Sequence, residues 1–132
     1  MSTDAAARLA ITDLVARYCD AVARADRRQF AACWAPDAHW TGPGLDRVGA
    51  DEITRTWAKI RARFTVALQG VQSGTVRVDG TGHHATGTWW IRELLQQSDG
   101  VVRETVGRYD DEYVHGADGW QFARRGFTPA GG

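Results

Sequence analysis

One lysine, one methionine, three prolines and two cysteines are all that 132 residues supply of those types. Two cysteines, Cys19 and Cys33, cannot build a disulfide framework. Both fall in helical patterns among hydrophobic positions, which predicts free buried thiols and fits a reducing compartment. An excess of one charge is missing too: sixteen basic residues balance sixteen acidic ones. No global field therefore draws the chain to nucleic acid or to an anionic membrane. Lys59 is the single lysine, and the arginines are spread rather than clustered. No apolar run approaches the ~20 residues of a membrane-spanning helix. The start MSTDAAARLA has no basic segment followed by an apolar one, so no secretory leader is expected and the expected location is the cytoplasm.

Metal and nucleotide signatures are also lacking. His39, His83, His84 and His115 show no ligand spacing, so no metal site is expected. The stretch GTGHHATG lacks the strand–turn–helix context of a phosphate cradle. No cofactor is expected either.

What the sequence has is helical periodicity first and alternation afterwards. Residues 4–25 place Ile11, Leu14, Val15, Tyr18 and Val22 on one helix face, with Thr3 or Asp4 as cap. A short helix is predicted over 27–35, with Phe30 and Trp34 four apart and Pro36 stopping it. The following PDAHWTGPGLDRVG reads as loop, with one short strand around His39–Thr41. A third helix is predicted over 50–64 from Ile53, Trp57, Ile60 and Phe64. Four strands follow, at about 66–78, 84–97, 101–115 and 119–128, joined by VDGTG, QSDG and HGADG. The tail TPAGG is expected to be irregular. Helices first and an antiparallel sheet after them make an α+β domain, a single one over residues 1–132.

Alternation sorts the strand residues. Trp89, Ile91 and Glu93 share one face of the second long strand. Gly107, Tyr109, Asp111 and Tyr113 share one face of the third. Six tryptophans suit an internal pocket for an apolar ligand, and equally an ordinary core or a dimer interface.

The opening LAITDLVARYCDAVARADRRQFAACWAPDAHW, the turn VDGTG and the ending GRYDDEYVHGADGWQFARR resemble the SnoaL-like branch of the nuclear transport factor 2-like superfamily, over about residues 8–128. The resemblance implies a cone-shaped curved antiparallel sheet wrapped by three N-terminal helices, enclosing an apolar pocket, and a homodimer. It also implies cofactor-free acid–base chemistry on a small apolar oxygenated molecule, as in ketosteroid isomerase, scytalone dehydratase, polyketide cyclases and hexachlorocyclohexane dehydrochlorinase. Tyr18 falls where the isomerase keeps an oxyanion-stabilising tyrosine, eight residues before Asp26. The isomerase's base falls on Gly42, and the dehydrochlorinase's His–Asp dyad falls on Gln69 and Ala23. Two of the dehydrochlorinase's supporting residues persist as Trp40 and Arg125.

Tyr18, Gln69 and Arg125 are thus expected to polarise a substrate, and Glu93 or His39 to move the proton. Asp111 is a second carboxylate candidate. Glu93 paired with Arg125 or Arg103 as a structural ion pair is the competing reading. Trp40, Trp89, Ile91, Tyr109 and Phe127 are the expected substrate-binding residues. The functional expectation is an isomerase, dehydratase, cyclase or hydratase. The alternatives are a non-catalytic small-molecule-binding domain and a small interaction subunit of an oxygenase.

Overall fold

Helix α1 (Thr3–Arg24) forms where an apolar stripe and three charge pairs agree. Ile11, Leu14, Val15, Tyr18 and Val22 are all buried. On the solvent side Asp4–Arg8, Asp13–Arg17 and Asp20–Arg24 pair across one turn. Each such exposed pair adds only ~0.3–0.5 kcal/mol, so burial of the stripe decides the helix. The computed structural model describes residues 3–131. Asp4 receives Arg8 Nε rather than capping the helix; the side chain of Thr3, the other capping candidate, lies outside the described residues.

Ala25 at φ 55° turns the chain sharply, and Asp26 then caps α2 (Arg27–Ala32) by accepting from Gln29 N at 3.0 Å. This helix is shorter than its spacing predicts. Trp34 opens β1 (Trp34–Gly42) instead of closing the helix. Pro36 is tolerated because it lies in the register break between Trp34 and His39, where no regular ladder bond is needed. Strand β2 (Leu45–Val48) pairs back on β1, so a hairpin stands where a loop is predicted, between α2 and α3 (Ala50–Arg61). Helix α3 ends at Arg61 rather than Phe64. Arg61 donates to the carbonyls of Val22, Ala23 and Phe64, tying its own end to that of α1.

Strands β3 (Phe64–Val78), β4 (His84–Gln97), β5 (Val102–Gly116) and β6 (Gly119–Pro129) complete one sheet in the order β2-β1-β6-β5-β4-β3. Its edges stay unpaired, so the sheet is open. All neighbours are antiparallel except β1 and β6, which run parallel and make the sheet mixed rather than wholly antiparallel. Strand order places the last strand at the centre, where it accepts β1 on one side and β5 on the other. The tail is less irregular than expected: Thr128 and Pro129 belong to β6, and Ala130 N donates to Val106 O.

Helices cover one face of the sheet, and the core between them is aromatic. Phe30 stacks on Trp57 at 4.0 Å, and Tyr18 meets Phe30, Trp34 and Phe122 at 5.2–6.1 Å. Such ring pairs add ~0.5–1.5 kcal/mol each beyond their burial. The other face leaves Leu68, Trp90 and Val106 exposed. Among the described residues, no helix is long and apolar enough to cross a membrane.

Two bulges set the pairings that matter below. Counting back from Val78 opposite Ala85, an unbroken ladder would put Gln69 opposite Leu94. The irregularity between Val71 and Ser73 puts it opposite Glu93 instead. Likewise, Gly116 opposite Gly119 would lead to Asp111 opposite Arg124, and the irregularity at Glu112–Tyr113 makes it Arg125. A one-residue slip exchanges sheet faces, so each bulge brings a polar pair together on the covered face.

Candidate functional site

Between α1, α3 and the covered face lies a cavity of about 600 Å³, within the range that holds small organic ligands. Trp40, Trp57, Phe127 and Leu95 supply apolar walls. Phe127 can lie where it does because Gly107 has no side chain: a Cβ there would come within 2.2 Å of Phe127 Cζ. Among the polar residues of the lining, Tyr18 from α1, Gln69 from β3, Glu93 from β4 and Tyr109 from β5 come together.

Gln69 joins them. Its Nε2 donates to Glu93 Oε2 at 2.7 Å and to Tyr109 Oη at 3.2 Å. An ionised carboxylate only accepts, so the amide nitrogen is the end that faces it. Gln69 Oε1 is left buried without a partner. Because Tyr109 Oη accepts from Gln69, its own hydrogen remains available to another acceptor. Tyr18 Oη lies 3.5 Å away, a long contact that leaves both phenols free to turn to a ligand oxygen.

Behind the phenols sits Arg125, fully buried. Its Nε and Nη2 donate to Asp111 Oδ1 and Oδ2 at 2.9 and 3.2 Å. Asp111 Oδ2 also accepts from Tyr113 Oη, which in turn accepts from Trp89 Nε1, both at 2.7 Å. The guanidinium lies 3.7 Å from the ring centre of Tyr109, 4.3 Å from Phe122 and 4.4 Å from Tyr18. Its Nη1 has no hydrogen-bond partner, so ring faces are its compensation. Burial works against the Arg125 charge, yet Asp111 beside it raises its pKa overall. Burial pushes the Asp111 carboxyl up, opposed by the donors from Arg125 and Tyr113. The geometry is that of an ionised pair.

All three tyrosines of the chain are buried, and desolvation raises each phenol above its ordinary value, with Arg125 pulling the other way on all three. The unfolded chain therefore loses its phenolic protons at lower pH than the folded one, so the contribution of these phenols to stability is full below pH about 10 and falls as pH climbs above it. We expect no tyrosinate absorbance at the ordinary midpoint while the protein is folded, and one step coinciding with unfolding. A tyrosine ionising near pH 10 in the folded protein would contradict this.

Of the residues expected from the sequence, Tyr18, Gln69, Glu93, Trp40, Tyr109 and Phe127 line the cavity. Four do not. Arg125 is one layer behind it, facing ring surfaces and Asp111. His39 points its Nε2 at Asp46 Oδ1, 2.6 Å away on β2, because β1 turns it from the cavity. Trp89 lies across Gly74, which has no Cβ to obstruct it, and spends its N–H on Tyr113. Ile91 is fully enclosed in the core. Asp111 is the partner of Arg125, so neither Arg125 nor Arg103 neutralises Glu93; its partner is an amide. Asp26 is a helix cap. Cys19 and Cys33 are free thiols, with burial raising both, Cys33 to about 11.

Residues 3–126 match the SnoaL-like domain family. No curated protein matches the sequence. Among solved structures, the chain is similar to a proposed aromatic ring hydroxylase from Novosphingobium aromaticivorans, with 24% identity, a TM-score of 0.86, and coverage of 93% of this chain and 88% of that one. It is similar to a nuclear transport factor 2-like superfamily protein from Salmonella enterica at 16% identity, TM-score 0.87, covering 95% and 92%. A type 2 hexachlorocyclohexane dehydrochlorinase gives 20% identity, TM-score 0.82, and coverage of 96% and 90%. At these identities the likeness is one of fold.

Proposed function

Because the chain belongs to the SnoaL-like domain family, we propose that it is a cofactor-free acid–base enzyme that isomerises, dehydrates, cyclises or hydrates a small, mostly apolar, oxygenated molecule. The observation that carries this reading is the convergence of the Glu93 carboxylate and two phenols, joined by Gln69, beside the cavity's apolar walls. Glu93 takes a proton from a carbon beside a carbonyl or leaving group, and Tyr109 or Tyr18 donates a hydrogen bond to the oxygen where charge develops. The partner of Glu93 is the neutral Gln69 amide rather than a cation. Gln69 holds the carboxylate toward Tyr109 and fixes the spacing of base and donor. The guanidinium behind both rings favours negative charge on the phenols, which makes Arg125 a positioning residue.

The dehydrochlorinase of similar fold is named for an elimination, the same class of step. A second reading, a binding protein without turnover, is favoured by one observation: the Gln69 amide already occupies Glu93 at 2.7 Å.

The test is a thermal-shift screen of steroids, aromatic polyketides, terpenoid epoxides and halogenated cyclohexanes, with mass spectrometry and isomer analysis of every stabilising compound. A compound that both stabilises and is converted supports the enzyme. Tyr18→Phe should then slow its turnover at least ~100-fold while preserving the ring. Stabilisation without conversion supports the binding protein.

A further inference from the structure

The cavity's acidic and phenolic groups are answered by an opposite charge at its rim. Arg47 of β2 and the segment from α3 to β3, with Lys59, Arg61 and Arg63, supply four cations to the lining, against Glu52 and Glu93. The pairings among them are uneven. Glu52 is taken by Arg47 and Arg55. Arg61 spends its donors on three carbonyls and meets no carboxylate, so its charge is not cancelled. Lys59 and Arg63 are exposed, and neither side chain makes a hydrogen bond or ion pair among the described residues. The whole chain is electrically balanced, and Lys59 is its single lysine.

A helix C-terminus accounts for part of this. Its partial charge is about half an electron and falls off within a turn, and Arg61 already serves the end of α1. Two further unpaired cations exceed that need. Glu93 stands on the cavity's strand wall, so an acidic substrate is repelled there and attracted at the rim.

We infer that the substrate is an organic acid: an apolar ring or chain body within the aromatic walls, with a carboxylate or other anionic group held at the rim by Lys59 and Arg63. The inference rests on the cavity being the ligand site. It adds an orientation, with the acidic end outward and the reacting carbon toward Glu93 and Tyr109. Neutral compounds of the same shape lose the rim contacts and bind in either sense.

Fluorescence titration with 1-pyrenebutyrate and 1-pyrenebutanol tests it, since the two differ only in the terminal group. The acid should bind about tenfold more tightly than the alcohol at low salt, the yield of two exposed ionic contacts. The difference should close at roughly 0.5 M salt, and in the double variant Lys59→Ala/Arg63→Ala. Both residues are unpartnered, so circular dichroism of that variant should match the parent. The acid should also shield Lys59 from acetylation, read by peptide mass spectrometry. Equal affinities, or a preference that survives the double variant, overturn the inference and leave the cavity reading standing. If neither probe binds, both readings fall.

Discussion

Asp111→Ala is expected to destabilise the protein by about 3–5 kcal/mol, the cost of leaving one partner of a buried ion pair alone. Arg125 and Asp111 are 0% and 4% exposed. Without the carboxylate, the guanidinium keeps only the ring faces of Tyr18, Tyr109 and Phe122, and Tyr113 loses its acceptor as well. In a domain of this size the loss corresponds to a fall in melting temperature of roughly 10 °C or more. Urea denaturation measures it directly. Asp111→Leu combined with Arg125→Met should recover most of the loss, since an apolar replacement of both partners leaves no uncompensated charge. A single variant within ~1 kcal/mol of the parent would show that water reaches Arg125 and that the pair is not the pillar described here.

Glu93→Gln is expected to lower turnover of the compound found by the screen by about 10²–10⁴-fold, the share a positioned general base contributes. The substitution preserves shape and removes only the capacity to take a proton. Gln69 then faces an amide instead of a carboxylate and can still donate to its oxygen, so folding stability should change little. Binding of the same compound should persist, which separates a chemical role from a packing role. An unchanged turnover would remove Glu93 from the chemistry.

The fold was legible where one pattern governed a long stretch. The α1 stripe, the three hairpin turns and the alternation of β5 all came from periodicity, and family resemblance supplied their assembly. Only the His39–Thr41 part of strand β1 was read as strand; its start was hidden because Trp34 continues the helical spacing of Phe30, while its partner β6 lies some ninety residues on. Strand β2 is four residues long, too short for alternation to register. Tyr18, Gln69, Glu93 and Tyr109 could each be nominated from position and parity. Their connections could not, because a hairpin counted from its turn pairs Gln69 with Leu94 and Asp111 with Arg124. Bulges carry no distinctive residue here, and both polar pairs depend on one. Trp89 and Ile91 had the correct face and the wrong depth: parity says which side of a sheet a residue takes, not how far along the strand the cavity reaches. Arg125 was placed correctly in sequence and nominated for the wrong neighbour, since nothing local announces that Asp111 claims it.

Phe127 rests on the bare backbone of Gly107, and that contact ties a wall of the cavity to a position behind it. Gly107 does not line the cavity, and Phe127 carries no reacting group. A methyl group at position 107 would have to tilt the ring, shifting the wall and, because Phe127 also packs on Tyr109 with ring centres 5.1 Å apart, disturbing that phenol as well. Under the proposed chemistry, the fit of a ligand and the placement of the donor phenol are therefore linked through one ring. A change of cavity size made at position 107 would then also move a hydrogen-bond donor, so the two cannot be adjusted separately there.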